Sequence, residues 1–429
     1  MLKMIKRIKS IISHPLFSGS ALMIIGSNVA NFFAYIYHLV IGRMLGPAGY
    51  GELASIINLI GLFSVTFGFL GLVIMKFVSG GKKSDIPVFF NWVKGRTLIA
   101  AAVVGTVMFL ATPLLAKFLN SNTYPIALAG PILFLYFVGY IYRSFLQGLL
   151  EFGKVVLTSN LDLFGRLVLG VLFVFLGLSV FGGVLGIFVS SALSLFLTIY
   201  FLKKYVKNTK GKKPFSGSKE VWAYSIPIFV MSLSTNSMYM SDVILAKHFF
   251  DPYTSGIYAS LSTLGRIIFY GTAPVAAVMF PLISKSFARK ENYKKIFYLS
   301  LLLTLILCLG ILGIYYLFPE LVISILYGSG FVGGSKYLVW FGGFMTIFTI
   351  NSLIINYFLS INITKPVYLS LIASIAQIVV IWFFHSSILE VVRVSFVISL
   401  VLLISLVIYL TYEAYLSRDS GLQSRKSNS

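Results

Sequence analysis

Apolar stretches long enough to carry a helix across a hydrocarbon core of roughly 30 Å, about 20 residues each, recur almost from one end of the chain to the other. They predict spans over 17–42, 52–76, 95–119, 124–148, 155–178, 181–203, 221–247, 255–283, 295–319, 335–360, 366–386 and 391–415. The gaps between them are short and rich in lysine, arginine, glycine and proline, which leaves no room for a water-soluble domain. The pattern therefore predicts an all-α integral membrane protein of about 12 transmembrane helices, since a helix satisfies its own backbone in lipid. Ahead of the first span, Leu2, Ile5, Ile8 and Ile12 recur at helical spacing with Lys3, Lys6, Arg7 and Lys9 between them. Without a small-residue cleavage site this segment reads as an interfacial helix ending at Pro15, lying against anionic lipid, and not as a signal peptide.

Composition agrees. Of 429 residues, 58% are apolar and 11% charged, against about 25% charged in soluble domains. A formal charge of +22 would point to nucleic acid in a soluble protein, but its placement between spans makes it a topology signal, and no nucleic-acid partner is expected. With the N-terminus inside, 27 of the 34 lysines and arginines fall on the cytoplasmic side. Five, Arg43, Lys117, Lys247, Lys336 and Arg393, fall on the other, and Arg166 and Arg266 lie within spans. This predicts a multi-pass protein of the cytoplasmic membrane with both termini in the cytoplasm. The single cysteine, Cys308, allows neither an intramolecular disulfide nor a multi-cysteine metal site, and reads as packing.

The longest basic stretch, Lys203 to Lys219, falls at the midpoint and divides six spans from six. Shifting the sequence on itself by 205 residues aligns Ser20 with Ser225, Asn31 with Asn236, Pro47 with Pro252 and Gly51 with Gly256 without a gap. Two six-helix bundles in the same orientation are predicted, related by a pseudo-twofold axis along the membrane normal. The expected divisions are an interfacial N-terminal helix (1–15), a first bundle (16–205), a basic cytoplasmic linker (206–219), a second bundle (220–416) and a cytoplasmic tail (417–429).

Polar groups inside a span are costly and tend to face a cavity or a partner. In the first span Asn28, Asn31, Tyr35 and His38 form one stripe; in the seventh, Ser232, Asn236, Tyr239 and Asp242 form another. The second span adds Asn58, and the eighth adds Tyr258, Ser262, Arg266 and Tyr270 at four-residue steps. Arg266 is the sharpest candidate, because a permanently charged fork of donors suits a phosphate or diphosphate; the plainer alternative is a structural pair with Asp242. Asp162 and Arg166 stand four apart on one face and are placed to pair with each other. His38 is a candidate proton carrier or a hydrogen-bonding wall residue. Arg43 and Glu52 fit an outer mouth or interfacial anchoring. Prolines 113, 131, 227, 274 and 281 interrupt predicted helices, and Pro274 with Gly271 suggests a bend in the eighth.

The chain carries no glycine-rich phosphate loop of the ATPase type, and 12 acidic residues offer no convincing catalytic pair. No catalytic residue, cofactor or metal is expected, and a membrane glycosyltransferase is disfavoured. Two transport readings stay open. One is a flippase for lipid-linked oligosaccharide; the other is a cation-coupled antiporter of small molecules, which would use Asp242 and Asp162.

The run Gly42-Arg43-Met44-Leu45-Gly46-Pro47-Ala48-Gly49-Tyr50-Gly51 resembles a turn of polysaccharide repeat-unit flippases, and Arg143-Ser144-Phe145-Leu146-Gln147-Gly148, continuing through Phe152, Lys154, Asn160 and Arg166, resembles their link between the fourth and fifth spans. Their superfamily also holds multidrug extruders and peptidoglycan-precursor flippases. The resemblance implies a V-shaped pair of six-helix bundles, with spans one, two, seven and eight lining a cationic cavity for polyprenyl-diphosphate-linked oligosaccharide, coupled to H+ or Na+. A cavity arginine finds its match in Arg266, whereas the second-span counterpart is Gly61. Under this reading Asn28, Asn31, His38, Asn58, Asn236, Asp242, Arg266, Asp162 and Arg166 are the substrate-binding candidates, and membrane lipids are the remaining partners.

Overall fold

A computed structural model describes residues 15–80, 86–206, 218–289 and 291–426, and every regular element among them is helical. The interfacial helix expected at 1–15 and most of the linker expected at 206–219 lie outside the described residues. The chain divides into two units, Met1–Ser232 and Leu233–Ser429, with the division inside one helix, Ser218–Phe249. Eight helical stretches among the described residues are long and apolar enough to cross a membrane.

Unit 1 is built from α1 (Pro15–Gly80), α2 (Ile86–Leu110), α3 (Thr112–Phe118), α4 (Thr123–Ala127), α5 (Ala129–Gly148), α6 (Phe152–Phe173) and α7 (Ser179–Leu202), followed by the start of α8 (Ser218–Phe249). α1 is two helical runs broken at Gly46, whose φ of 66° and ψ of 179° suit glycine alone. Pro47 disfavours helix at the residue before it and then opens the next run. The predicted turn between spans one and two is therefore a backbone break made by these two residues. α2 starts at Ile86 rather than at 95. Lys94 and Arg96 lie within the helix and are exposed, Arg96 resting its guanidinium 4.2 Å from the Trp92 ring, so charges assigned to a loop belong to a helix that tolerates them on one face. At the other end Pro113 starts the separate α3.

Unit 2 holds the rest of α8, then α9 (Pro252–Ala288), α10 (Tyr293–Leu317), α11 (Pro319–Leu326), a 3-10 turn (Ser329–Gly334), α12 (Ser335–Ser360), α13 (Pro366–Phe383) and α14 (Ile388–Lys426). It repeats the element order of unit 1, down to the turns. In both units a long helix is followed by a short one with proline in its first turn, Pro113 or Pro319. Each short helix ends at a left-handed residue, Asn120 (φ 47°) or Gly328 (φ 92°). Just past α5 stands Leu150 and just past α12 stands Asn362, both at φ 63°. In each, the left-handed amide and the next one donate back to the last helical turn, Glu151 N to Leu146 O at 2.9 Å and Ile363 N to Phe358 O at 2.9 Å. This is the paired hydrogen-bond pattern that closes a helix C-terminus. α9 runs continuously through Pro274 and Pro281. α14 continues to Lys426, through most of the segment expected as a tail.

Within unit 1, α6 and α7 approach closely enough that a Cβ on Gly186 would lie 2.5 Å from the Gly170 backbone. Tyr37 is fully buried and donates from its hydroxyl to Gly183 O at 3.0 Å, and Asn160 donates to Gly26 O at 3.0 Å. In unit 2, Gln377 and Asn351 play the same part: Gln377 donates to Met238 O and Ser395 Oγ, each at 2.9 Å, and Asn351 to Ser399 O at 2.8 Å. Interhelical hydrogen bonds and close glycine contacts hold helices together where lipid removes the hydrophobic driving force between them.

Candidate charged sites in each unit

α5 and α6 form an antiparallel hairpin about the Leu150 turn, which brings Tyr136, Arg143, Asp162 and Arg166 into one cluster, Asp162 buried and the other three partly buried. Asp162 does not pair with Arg166 as their spacing suggested. It lies 3.6 Å from Arg143 Nη1, and Ser190 Oγ stands 3.5 Å from its Oδ1. Arg143 also donates to Ser194 Oγ at 3.1 Å, and Ser194 in turn to Thr158 O at 2.8 Å. The physical reason is reach: residues four apart on a helix point along the same side, while the partner helix offers a cation that can meet the carboxylate head-on. Arg166 donates from Nη2 to the Tyr136 hydroxyl, and its guanidinium carbon stands 5.8 Å from the Tyr37 ring. The buried Arg166 Nε meets no hydrogen-bond acceptor among the described residues. The cluster thus holds two arginines and one carboxylate, of which only Arg143 pairs with it, and carries a surplus positive charge inside a segment apolar enough to span a membrane.

In unit 2, Asp242 on α8 is fully buried and accepts from the Tyr258 hydroxyl at 2.9 Å and from Val243 N at 2.8 Å. Arg266 on α9 donates from Nη2 to the Tyr239 carbonyl, with its guanidinium carbon 5.1 Å from the Tyr239 ring. The Tyr239 hydroxyl donates to Asn236 Oδ1. Here one arginine and one acid stand near each other, each wrapped by tyrosine.

The other predicted candidates are scattered. Asn28 and Asn31 on α1 are exposed. His38 Nδ1 is hydrogen-bonded to the Tyr50 hydroxyl at 3.1 Å. Asn58 is buried and donates to Ala54 O within its own helix at 2.7 Å. Glu52 accepts from Asn122 N at 3.0 Å, fastening the α1 break to the turn after α3.

Arg143, Tyr136 and Tyr258 were not among the expected site residues. By sequence Arg143 belongs with the cytoplasmic charges, and Tyr258 stands only as one member of the polar stripe of the eighth span. The available signal was hairpin geometry: Tyr136 and Arg166 lie at similar chain distances from the Leu150 turn, which places them at similar depth.

The polysaccharide biosynthesis protein family matches residues 16–287. An uncharacterized membrane protein of Methanocaldococcus jannaschii is 26% identical over 377 residues, covering 75% of this chain and 87% of that protein. Among solved structures, a multidrug resistance MATE family transporter of the MOP superfamily, inward-facing, aligns with a TM-score of 0.76 at 14% identity, covering 91% of this chain and 98% of that one. The lipid II flippase MurJ in an inward closed conformation gives a TM-score of 0.70 at 16% identity, covering 90% and 87%. A MOP superfamily transporter from Pyrococcus furiosus gives 0.62 at 14% identity, covering 91% and 94%. At these identities the structures establish a shared fold.

Proposed function

We propose that this chain, which belongs to the polysaccharide biosynthesis protein family, is a flippase that carries polyprenyl-diphosphate-linked oligosaccharide repeat units across the cytoplasmic membrane by alternating access. Twelve spans in two six-helix bundles, both termini in the cytoplasm and coupling to an H+ or Na+ gradient belong to this reading. Family and fold support a multi-pass membrane transporter, and a fold relative is a flippase of lipid II.

The observation that carries the substrate class is the charge surplus in unit 1. Asp162 is engaged by Arg143, which leaves Arg166 facing two tyrosines, with a buried Nε still available as a donor. A guanidinium held so in an apolar span favours an anion, and its fork matches phosphate oxygens. Arg266 is the second phosphate ligand in this reading, and Asn28, Asn31 and Asn236 meet sugar hydroxyls. The antiporter reading depends on Asp162 and Asp242 as cation ligands. Asp162 is neutralised by Arg143 and Asp242 is hydrogen-bonded by Tyr258, so neither is poised to take up an organic cation.

The test is reconstitution into vesicles with a fluorescent polyprenyl-diphosphate glycan, following exposure of the head on the far leaflet. The parent is expected to move it and Arg266→Ala to slow it. A parent that moves an organic cation and not the glycan lipid would overturn the reading.

A further inference from the structure

The two units treat the closing turn of α5 and its counterpart after α12 differently. In unit 1 the turn at Leu150 is capped from within: Tyr205, just past α7, donates its hydroxyl to Glu151 and accepts from Lys154 Nζ at 3.0 Å, while Lys154 and Glu151 pair at 2.9 Å. In unit 2 the same turn, at Asn362, borders an open cavity of about 280 Å³ between the ends of α9 and α12, the start of α10 and α14. Its walls include Tyr293, Phe297, Tyr298 and Tyr357, with Lys294 and Glu413 also lining it. The rings form one connected wall: Phe297 meets Tyr357 at 4.2 Å between centroids, Tyr298 at 5.4 Å, and Tyr293 meets Tyr357 at 6.4 Å. Ser284 Oγ donates to Ser360 O at 3.0 Å, fixing the two helices that flank it.

Size and chemistry narrow the occupant. The cavity is at the low edge of the roughly 300–1,000 Å³ of small-molecule sites, so it suits a headgroup and not an oligosaccharide. Tyrosine faces beside a carboxylate favour an ammonium group, and Lys294 adds a partner for phosphate. The surrounding Lys285, Arg289 and Lys295 are exposed. A doubly anionic head would meet Glu413, whereas a phosphate joined to an ammonium satisfies both charges. Tyr298 is 56% exposed and offers an apolar edge to the chains of a lipid lying alongside.

We propose that this cavity is a binding site for the head of a zwitterionic phospholipid, phosphate toward Lys294 and ammonium toward Glu413 and the tyrosines. The site is separate from the charged clusters and independent of the transported substrate. It would make unit 2 dependent on bilayer lipid at the corner that unit 1 closes with its own side chains.

The test uses the full-length protein in nanodiscs with equal amounts of phosphatidylethanolamine and phosphatidylglycerol of identical chains. Lipid retained after release into detergent is counted by native mass spectrometry, with free phosphoethanolamine as a competitor in a separate arm. Phosphatidylethanolamine is expected to be retained over phosphatidylglycerol by about fivefold. Glu413→Gln is expected to abolish that preference, and Lys294→Gln to lower retention of both lipids. Displacement by free phosphoethanolamine would assign recognition to the head alone, and its failure to the head with its chains; either supports the site. Equal retention of the two lipids by the parent, or an unchanged preference in Glu413→Gln with helix content intact by circular dichroism, would overturn the proposal.

Discussion

Unit 1 and unit 2 surround their buried aspartates with different numbers of arginines. Around α5 and α6, Arg143 and Arg166 stand with a single acid, Asp162, which pairs with Arg143; around α8 and α9, Arg266 and Asp242 stand one to one. Both units spend tyrosines on the problem, with Tyr136 and Tyr37 beside Arg166, Tyr239 beside Arg266 and Tyr258 on Asp242. The lesson is that tyrosine can soften a buried charge without cancelling it. A phenol offers a hydrogen bond and a π face but brings no opposite charge. The Arg266–Asp242 site is balanced as built, while the cluster of α5 and α6 is left with a charge that an anion would complete.

The comparison can be broken most forcefully at Arg143. Replacing it by methionine removes the ion-pair partner of a buried carboxylate, a change of about 3–5 kcal/mol when no substitute partner exists. The expected cost is toward the lower end of that range because Arg166 is near enough to turn to Asp162, and the denaturation midpoint of the purified protein checks it. Combining Arg143→Met with Asp162→Leu is expected to recover most of the loss. A double variant as unstable as the single one would mean that the ion pair is not what the cluster needs.

Tyr258→Phe sharpens the unit 2 side. It deletes the hydroxyl that donates to Asp242, at a cost of about 1.5–3 kcal/mol for a hydrogen bond to a charged group, read from the same midpoint. The effect should exceed that of Tyr136→Phe, since Arg166 retains the Tyr37 face whereas buried Asp242 keeps one direct hydrogen bond, from Val243 N, and the more distant charge of Arg266. The reverse order would show that the surplus charge of unit 1 is held by Tyr136 itself.

The smallest effect belongs to the corner of unit 1. Tyr205, followed by Lys154, holds the Glu151 carboxyl below its ordinary range. A depressed carboxyl contributes stability at pH above its unfolded value, and that contribution fades as pH falls through the folded value. Tyr205→Phe should therefore lower stability slightly at neutrality, the effect being small because both groups are partly exposed and screened, and the difference from the parent should vanish as pH falls through the folded value. A thermal melt taken from pH 3 to pH 7 reads it, and superimposable profiles for parent and variant would contradict the account.

Much of this arrangement was legible in the sequence. Hydropathy located the helices, and the Gly46–Pro47 pair marked the break in α1. Leu150 and Asn362 share one turn conformation despite different side chains, but they stand 212 residues apart, so the gapless 205-residue shift does not align them. What single-helix periodicity could not reach was partner choice between helices. The spacing of Asp162 and Arg166 suggested a pair, but α5 supplied a better-directed cation in Arg143. The hydroxyls of Tyr136 and Tyr258 become ligands only once a second helix is packed against them. Helix ends were misread where a charge sits on an exposed face, as Lys94 and Arg96 do in α2.

The surplus charge of unit 1 is tested most directly by the rate at which vesicles containing Arg166→Gln move a fluorescent polyprenyl-diphosphate glycan. Losing a charge-assisted phosphate contact of about 1.5–3 kcal/mol predicts a fall of roughly 10- to 100-fold, while the charge-conserving Arg166→Lys is expected to retain more of the parental rate. A folded Arg166→Gln protein that moves the glycan at the parental rate would contradict the account.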